Sequence, residues 1–218
     1  MRNNIKMPKQ VRHDNMQGRS MVEMLGVLAI IGVLSAGGLA GYSKAMFKHK
    51  LNSTMEQITM LVTNIRTAYG QQGNYNGLTA TKAGQLGIVP AVMGTGENLT
   101  NPFKGSVGIT SNGVKASNSS AAGTAFTVTY EGLPKEACIA LATSDFGSGA
   151  GSGFIGVVVN SKKDEPFVGD ASAAGHAADA EHSIAASSGK LGEGNAYTMS
   201  AAVTDCDTEQ NTITWKFY

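Results

Sequence analysis

The chain has 218 residues, a formal net charge of +1 and only 15% charged side chains. A near-neutral chain lacks the basic footprint that binds a nucleic-acid backbone, and 28 glycines with few aromatics do not suit a charged cytosolic enzyme. The length allows one moderate domain plus an appendage.

Residues 1–18 are polar and basic, with Arg2, Lys6, Lys9 and Arg12 set against Asp14. From Met24 to Tyr42 no side chain is charged, which is about the length that crosses a bilayer core as a helix. Cations before such a run stay in the cytoplasm, so the C-terminal part is expected to be exported. An ordinary signal peptide would be cut behind the apolar run, at small residues such as Ala36-Gly37-Gly38 or Ala40-Gly41. Glu23 argues against that reading, because a carboxylate at the edge of an apolar helix costs about 2–3 kcal/mol in lipid unless it finds a partner. It sits four residues after Arg19, which follows Gly18. A cut after Gly18 would give Arg19 a new α-ammonium. An ammonium and a carboxylate on neighbouring copies would then neutralise each other among apolar helices, and one charge would set the register of assembly.

Gly18-Arg19-Ser20-Met21-Val22-Glu23-Met24-Leu25, followed by an apolar helix, resembles the processing site of type IV prepilins. The resemblance implies that Gly18 is the last leader residue, cut by prepilin peptidase. It makes Arg19 the mature N-terminus and N-methylation site, and Glu23 the assembly glutamate. Arg19 departs from the Phe, Met, Leu or Val usual at the first mature position. The leader is longer than in the type IVa branch and points to type IVb. Two further stretches agree: Asn101-Pro102-Phe103-Lys104-Gly105 resembles the Asn-Pro-Phe-Gly-Gly of bundlin-like pilins, and Leu133 to Ala142 resembles their helix bearing the first cysteine. Cys206 lies before a strand-like tail, as in that branch.

No proline occurs between Arg19 and Val89, so the apolar run is expected to continue into a second helical stretch. Phe47, Leu51, Met55, Ile58, Leu61, Val62, Ile65 and Tyr69 recur at three- and four-residue spacing, the stripe of an amphipathic helix. Gly70-Gln71-Gln72-Gly73 ends it. A helix from Met21 to Tyr69 would be roughly 75 Å long at about 1.5 Å per residue, so its first half must lie in membrane or in a filament core. Gly32, Gly37, Gly38 and Gly41 each weaken it by roughly 1 kcal/mol relative to Ala. Two readings stay open for Gly37-Gly38: close packing of helices, or local melting as the subunit leaves the membrane.

Past Gly73 the pattern turns β-like. Strands are expected at Val107 to Thr110, Ala125 to Tyr130, Phe154 to Asn160 and Thr212 to Phe217, with a short helix at Pro134 to Thr143. Gly/Ser/Asn/Ala-rich stretches separate them, and the Ala-rich one from Asp170 to Ala202 has room for helical turns. The expected fold class is α+β: a long N-terminal helix packed against an antiparallel sheet, the pilin fold. The expected organisation is a leader over 1–18, a transmembrane or filament-core half-helix over 19–42, an amphipathic half-helix over 43–70 and a globular domain over 71–218.

Cys138 and Cys206 are the only cysteines. Both lie in the exported part, where an oxidising compartment favours a bridge over two buried thiols; the bridge would contribute roughly 4 kcal/mol. No catalytic constellation stands out, and no cofactor or metal is expected. His49 lies among Lys44, Lys48 and Lys50, a basic turn for a membrane or subunit surface. His176, Asp179, Glu181 and His182 match no zinc spacing. Asn98-Leu99-Thr100 and Asn118-Ser119-Ser120 match the short glycosylation sequon.

The resemblance therefore implies a structural subunit, not an enzyme, that polymerises into a type IVb-like pilus serving adhesion, aggregation or conjugation. Its partners would be further copies in a helical filament, prepilin peptidase, the inner membrane, the pilus assembly machinery and minor pilins. It would pass from the inner membrane to an extracellular fimbrium. A minor pilin or a type II secretion pseudopilin would share the N-terminal device. A membrane-anchored periplasmic enzyme or binding protein is the reading from another class.

Overall fold

The structure is a computed structural model. It describes residues 20–96, 98–116, 120–144, 146, 153–160 and 199–218. Residues 1–46 and 47–218 form two separate units, and each is taken by itself.

The first unit holds the start of helix α1, Met21–Tyr69. The expected helix bounds are those observed, because nothing between Met21 and Tyr69 breaks the backbone ladder and Gly70 begins a turn. Its apolar side chains are exposed in the isolated subunit.

The second unit is a helix-on-sheet layer. The later part of α1 buries Ile58, Leu61, Val62, Ile65 and Tyr69 in the main core. The stripe is narrower than expected at its start: Phe47, Leu51 and Met55 are half-buried, while Thr54 and Gln57 face inward. Thr54 solves its polarity locally by donating its hydroxyl to the Lys50 carbonyl at 2.8 Å.

Four strands make the sheet: β1 (Val107–Thr110), β2 (Phe126–Leu133), β3 (Phe154–Val159) and β4 (Asn211–Phe217). They are antiparallel neighbours in the order β1-β2-β4-β3. The register lines up rows of large side chains on the core face. Ile109, Val128, Trp215 and Val157 form one row, and Val107, Tyr130, Ile213 and Val159 the next. Side chains alternate across a strand, so the other face carries Thr110, Thr127, Thr129 and Thr214. Thr129 and Thr214 share a hydrogen bond of 2.9 Å between their hydroxyls.

β1 has the expected bounds, β2 begins one residue later and β4 one residue earlier than expected, and the C-terminal ends of β2 and β3 differ. β2 runs on through Glu131 and Gly132 to Leu133, with a register shift after Tyr130. Gly132 takes φ 69°, a conformation open to glycine, so a residue that reads as a turn becomes a bulge within the strand. β3 stops at Val159, because Asn160 turns with φ 47°. Helix α3, Lys135–Ala142, has Pro134 at its cap position rather than in its first turn. Two short helices were not expected: α2, Ala80–Gln85, and a 3₁₀ turn at Ala91–Met93. Thr79 caps α2 by accepting from the Lys82 N–H at 3.3 Å. Helix α4, Met199–Asp205, begins in the Ala-rich stretch; residues 161–198 lie outside the described ones.

The sulfurs of Cys138 on α3 and Cys206, just past α4, are joined. Asn211 holds the same corner. Its amide donates to the carbonyls of Leu133 (3.2 Å) and Thr208 (2.7 Å), and its oxygen accepts from Asn160 at 2.7 Å. Asn160 in turn donates to the Asp205 carbonyl at 2.6 Å. The end of α4 is thereby fixed to two strand ends.

Lys216 on β4 is only 1% exposed, between Thr127 on β2 and Gly156 on β3 in register. Loss of hydration disfavours its charged form and pushes its pKa down from 10.5 to about 8. A group whose folded pKa is depressed binds fewer protons in the folded than in the unfolded chain between those values, so stability rises with pH across that window. Below pH 8 both states carry the proton and the effect is flat. Burial pushes the Tyr130 hydroxyl up, which opposes the rise above about pH 10, its ordinary value. The thermal midpoint of the oxidised chain should therefore increase between pH 7 and 9.5, by the equivalent of about 1–2 kcal/mol. Lys216→Met should flatten the profile, and an equal slope in both proteins would remove Lys216 as the cause.

Candidate functional site

The sequence directs attention to the N-terminal half of α1. Its most apolar stretch has no residue buried within the subunit. Met21 is 86% exposed and Val33 75%, and Leu25, Leu28, Ile30, Ile31, Leu34 and Leu39 are all more than half exposed. A contiguous apolar surface of this kind is an interaction site for lipid or protein.

Glu23 stands in the first turn of α1, where the partial positive charge of the helix start favours a carboxylate. The Ser20 carbonyl accepts from the Met24 N–H at 3.1 Å, so the ladder is already closed at this point. The next acidic residue along the chain is Glu56. Glu23 is thus a lone acid at the head of the uncharged run from Met24 to Tyr42.

The glycines of this segment have no reason within the subunit. A methyl group added at Gly26, Gly32, Gly37, Gly38 or Gly41 would meet nothing within 4 Å. What requires small residues here is outside the folded subunit, or lies in the helix's own capacity to unwind. Gly37 and Gly38 are helical in this state.

Gly18 and Arg19 lie outside the described residues, as do His176, Asp179, Glu181, His182 and Asn118. Glu23 belongs to the first unit and the Cys138–Cys206 bridge to the second. Among the described residues no three His, Cys, Asp or Glu side chains group as metal ligands. An open depression of about 510 Å³ follows one face of α1. Its lining residues are Met55, Glu56, Thr59, Met60, Thr63 and Asn64, one carboxylate among apolar and neutral side chains, which is no set for acid–base or nucleophilic chemistry.

The Asn101–Gly105 stretch proves to be a tight turn directed at α1. Asn101 donates to the Glu131 carbonyl at 2.8 Å and accepts from the N–H groups of Phe103 (2.9 Å) and Gly105 (3.0 Å). A side chain at Gly105 would run into the Glu131 carbonyl, so close approach of two backbones explains that glycine. The turn sets Phe103 against Phe47, with ring centroids 5.9 Å apart, and Lys50 Nζ lies 5.9 Å from the Phe103 ring. Sequence reasoning gave Phe47 a place in the core stripe and did not connect it to Phe103. A contact between residues so distant in the chain leaves no periodic signal.

The profile of the bundlin family matches residues 44–191. The major structural subunit of bundle-forming pilus from Escherichia coli O127:H6 is 29% identical over 136 residues, covering 62% of this chain and 67% of that protein. Toxin coregulated pilin from Vibrio cholerae serotype O1 is 30% identical over 132 residues, covering 59% of this chain and 57% of the other. Among solved structures, TcpA, a type IV pilin from the Vibrio cholerae El Tor biotype, aligns over 78% of this chain and 99% of its own with a TM-score of 0.49 and 21% identity.

Proposed function

The chain belongs to the bundlin family, and we propose that it is held in the inner membrane as a precursor, trimmed, and built with copies of itself into an extracellular type IVb pilus. It is a structural pilus subunit, not an enzyme. The observation that carries the proposal is the apolar half of α1, exposed throughout the isolated subunit with a single carboxylate at its head. Such a surface is stable in hydrocarbon, and again when copies of the helix bury it among themselves.

In this reading prepilin peptidase cuts between Gly18 and Arg19, and the Arg19 amine is methylated. Glu23 pairs with the Arg19 ammonium of a neighbouring copy as α1 enters the filament. The lone acid is then neutralised only in correctly staggered copies, so the energy of one buried pair selects the register. Gly37 and Gly38 let the helix unwind locally during extraction from lipid, which suits their lack of any steric role in the folded subunit. The bridge of Cys138 and Cys206 keeps the surface around α3 and α4 in one shape for its neighbours. The pilus assembly machinery and minor pilins complete the list of partners.

Mass spectrometry of the chain's N-terminus in membrane fractions tests the proposal. A start at Arg19, methylated on its amine, is the expected result. A start at Met1, or after Gly41, would overturn it.

A further inference from the structure

Lysines crowd the start of the 47–218 unit. Lys48, His49 and Lys104 are exposed and Lys50 is half-buried. Phe47 and Phe103 lie among them as a ring pair, with Lys50 over Phe103. Lys104 is held at φ 71° within the turn organised by Asn101, a conformation uncommon outside glycine. Glu131 adjoins this turn, and its carboxylate accepts the Ser106 hydroxyl. On α1 itself no acidic residue occurs from Met24 to Met55, so the helix contributes cations without compensation.

Position and sign together say what this surface meets. Lys48 comes six residues after Tyr42, where the uncharged run ends, and a helix covers that distance in under two turns. With the apolar run in hydrocarbon, Lys48 and Lys50, six and eight residues on along the chain, fall at headgroup depth. Their sign runs against the usual bias, in which cations gather on the cytoplasmic flank and orient the helix. Arg2, Lys6, Lys9 and Arg12 already supply that bias. Lysines on the exported flank therefore call for another role, and lysines beside phenylalanines are a composition of surfaces that lie on the membrane interface.

We infer that Phe47, Lys48, Lys50, Phe103 and Lys104 form a collar that seats the folded unit on anionic phospholipid headgroups while the precursor waits in the membrane. The ammonium groups meet lipid phosphates, and the ring pair sits where the acyl chains end. The inference rests on the membrane-held precursor proposed above. It adds that the folded unit itself grips the lipid surface and must release it when α1 is extracted.

The test uses the full-length chain in nanodiscs of phosphatidylcholine, with or without phosphatidylglycerol. Lysines are briefly acylated with an N-hydroxysuccinimide ester and read by mass spectrometry. Lys48, Lys50 and Lys104 should react at least about threefold more slowly when phosphatidylglycerol is present. High salt should remove the protection, and the exposed Lys82 of α2 should not change. Equal reactivity in both discs would overturn the collar. Protection that rises with protein density in lipid-free detergent would assign the surface to a second copy instead, and protection by inorganic phosphate in phosphatidylcholine discs would reduce it to general anion binding; either also overturns it. A chain that enters neither disc fails earlier, at the membrane reading itself, so the two failures are told apart.

Discussion

A Glu23→Ala chain is expected to reach the membrane and be trimmed after Gly18 as usual, yet to yield no filaments. The substitution removes a charge from the head of the uncharged run of α1, Met24 to Tyr42, so it makes insertion easier rather than harder. The isolated subunit loses no internal contact, because Glu23 is exposed in it. What the substitution takes away is the partner of a neighbour's Arg19 ammonium. An unpaired charge buried among apolar helices costs about 3–5 kcal/mol, which at about 1.4 kcal/mol per tenfold weakens each added subunit by roughly two to three and a half orders of magnitude. Repeated at every step of growth, that loss stops polymerisation. Glu23→Gln separates charge from shape, since it keeps the length of the side chain and should fail as well. The measurements are the mass of the membrane-bound chain and the amount of sheared filament. Normal filaments from Glu23→Ala would remove the proposed pairing.

Where the signal was local, the sequence revealed the fold; where it was not, the sequence was silent. α1 was legible to its ends because an uninterrupted, proline-free pattern leaves a helix no place to stop before Gly70. β1 and β4 were legible from their alternation. β2 reads short because Glu131-Gly132 has turn composition, whereas pairing of Leu133 with Asn211 and the bonds of Glu131 to Ser106 and Asn101, all distant in sequence, keep it extended. The six residues of α2 are too few for a periodic signal; the Thr79 cap was the cue available. The strand order, with β4 between β2 and β3, depends on pairings between residues far apart in sequence. At the candidate site, Glu23 and the apolar run stood out because their chemistry conflicts with a buried core. The Phe47–Phe103 contact did not, because each ring alone looks like ordinary core material.

Replacing both Cys138 and Cys206 by alanine should lower the stability of the folded unit by about 4 kcal/mol. The two cysteines are 68 residues apart, and by chain-entropy reasoning a loop of that size removes about this much freedom from the unfolded chain. Packing adds to the loss: both cysteines are fully buried, in the same core as Leu141 and Ala202, so the alanines leave a small cavity. For a unit of this length 1 kcal/mol corresponds to about 2–4 °C, and the thermal midpoint should fall by roughly 8–16 °C. The local consequence is sharper than the global one. α4 has seven residues, too few to persist alone. It is held at one end by the bridge and by the bonds linking Asn160, Asp205 and Asn211. Without the bridge, amide hydrogen exchange should rise first at α4 and only later at the paired strands β2 and β4. Cys138→Ala alone should destabilise to a similar extent and leave a free thiol at Cys206 that, being buried, reacts with thiol reagents only once this corner opens. Thermal melting of the full chain in detergent, before and after reduction, checks the first claim, and site-resolved exchange checks the second. A loss below about 1 kcal/mol, or simultaneous opening of α4 and the sheet, would show that the corner is held by Asn211 and its partners rather than by the sulfur bridge.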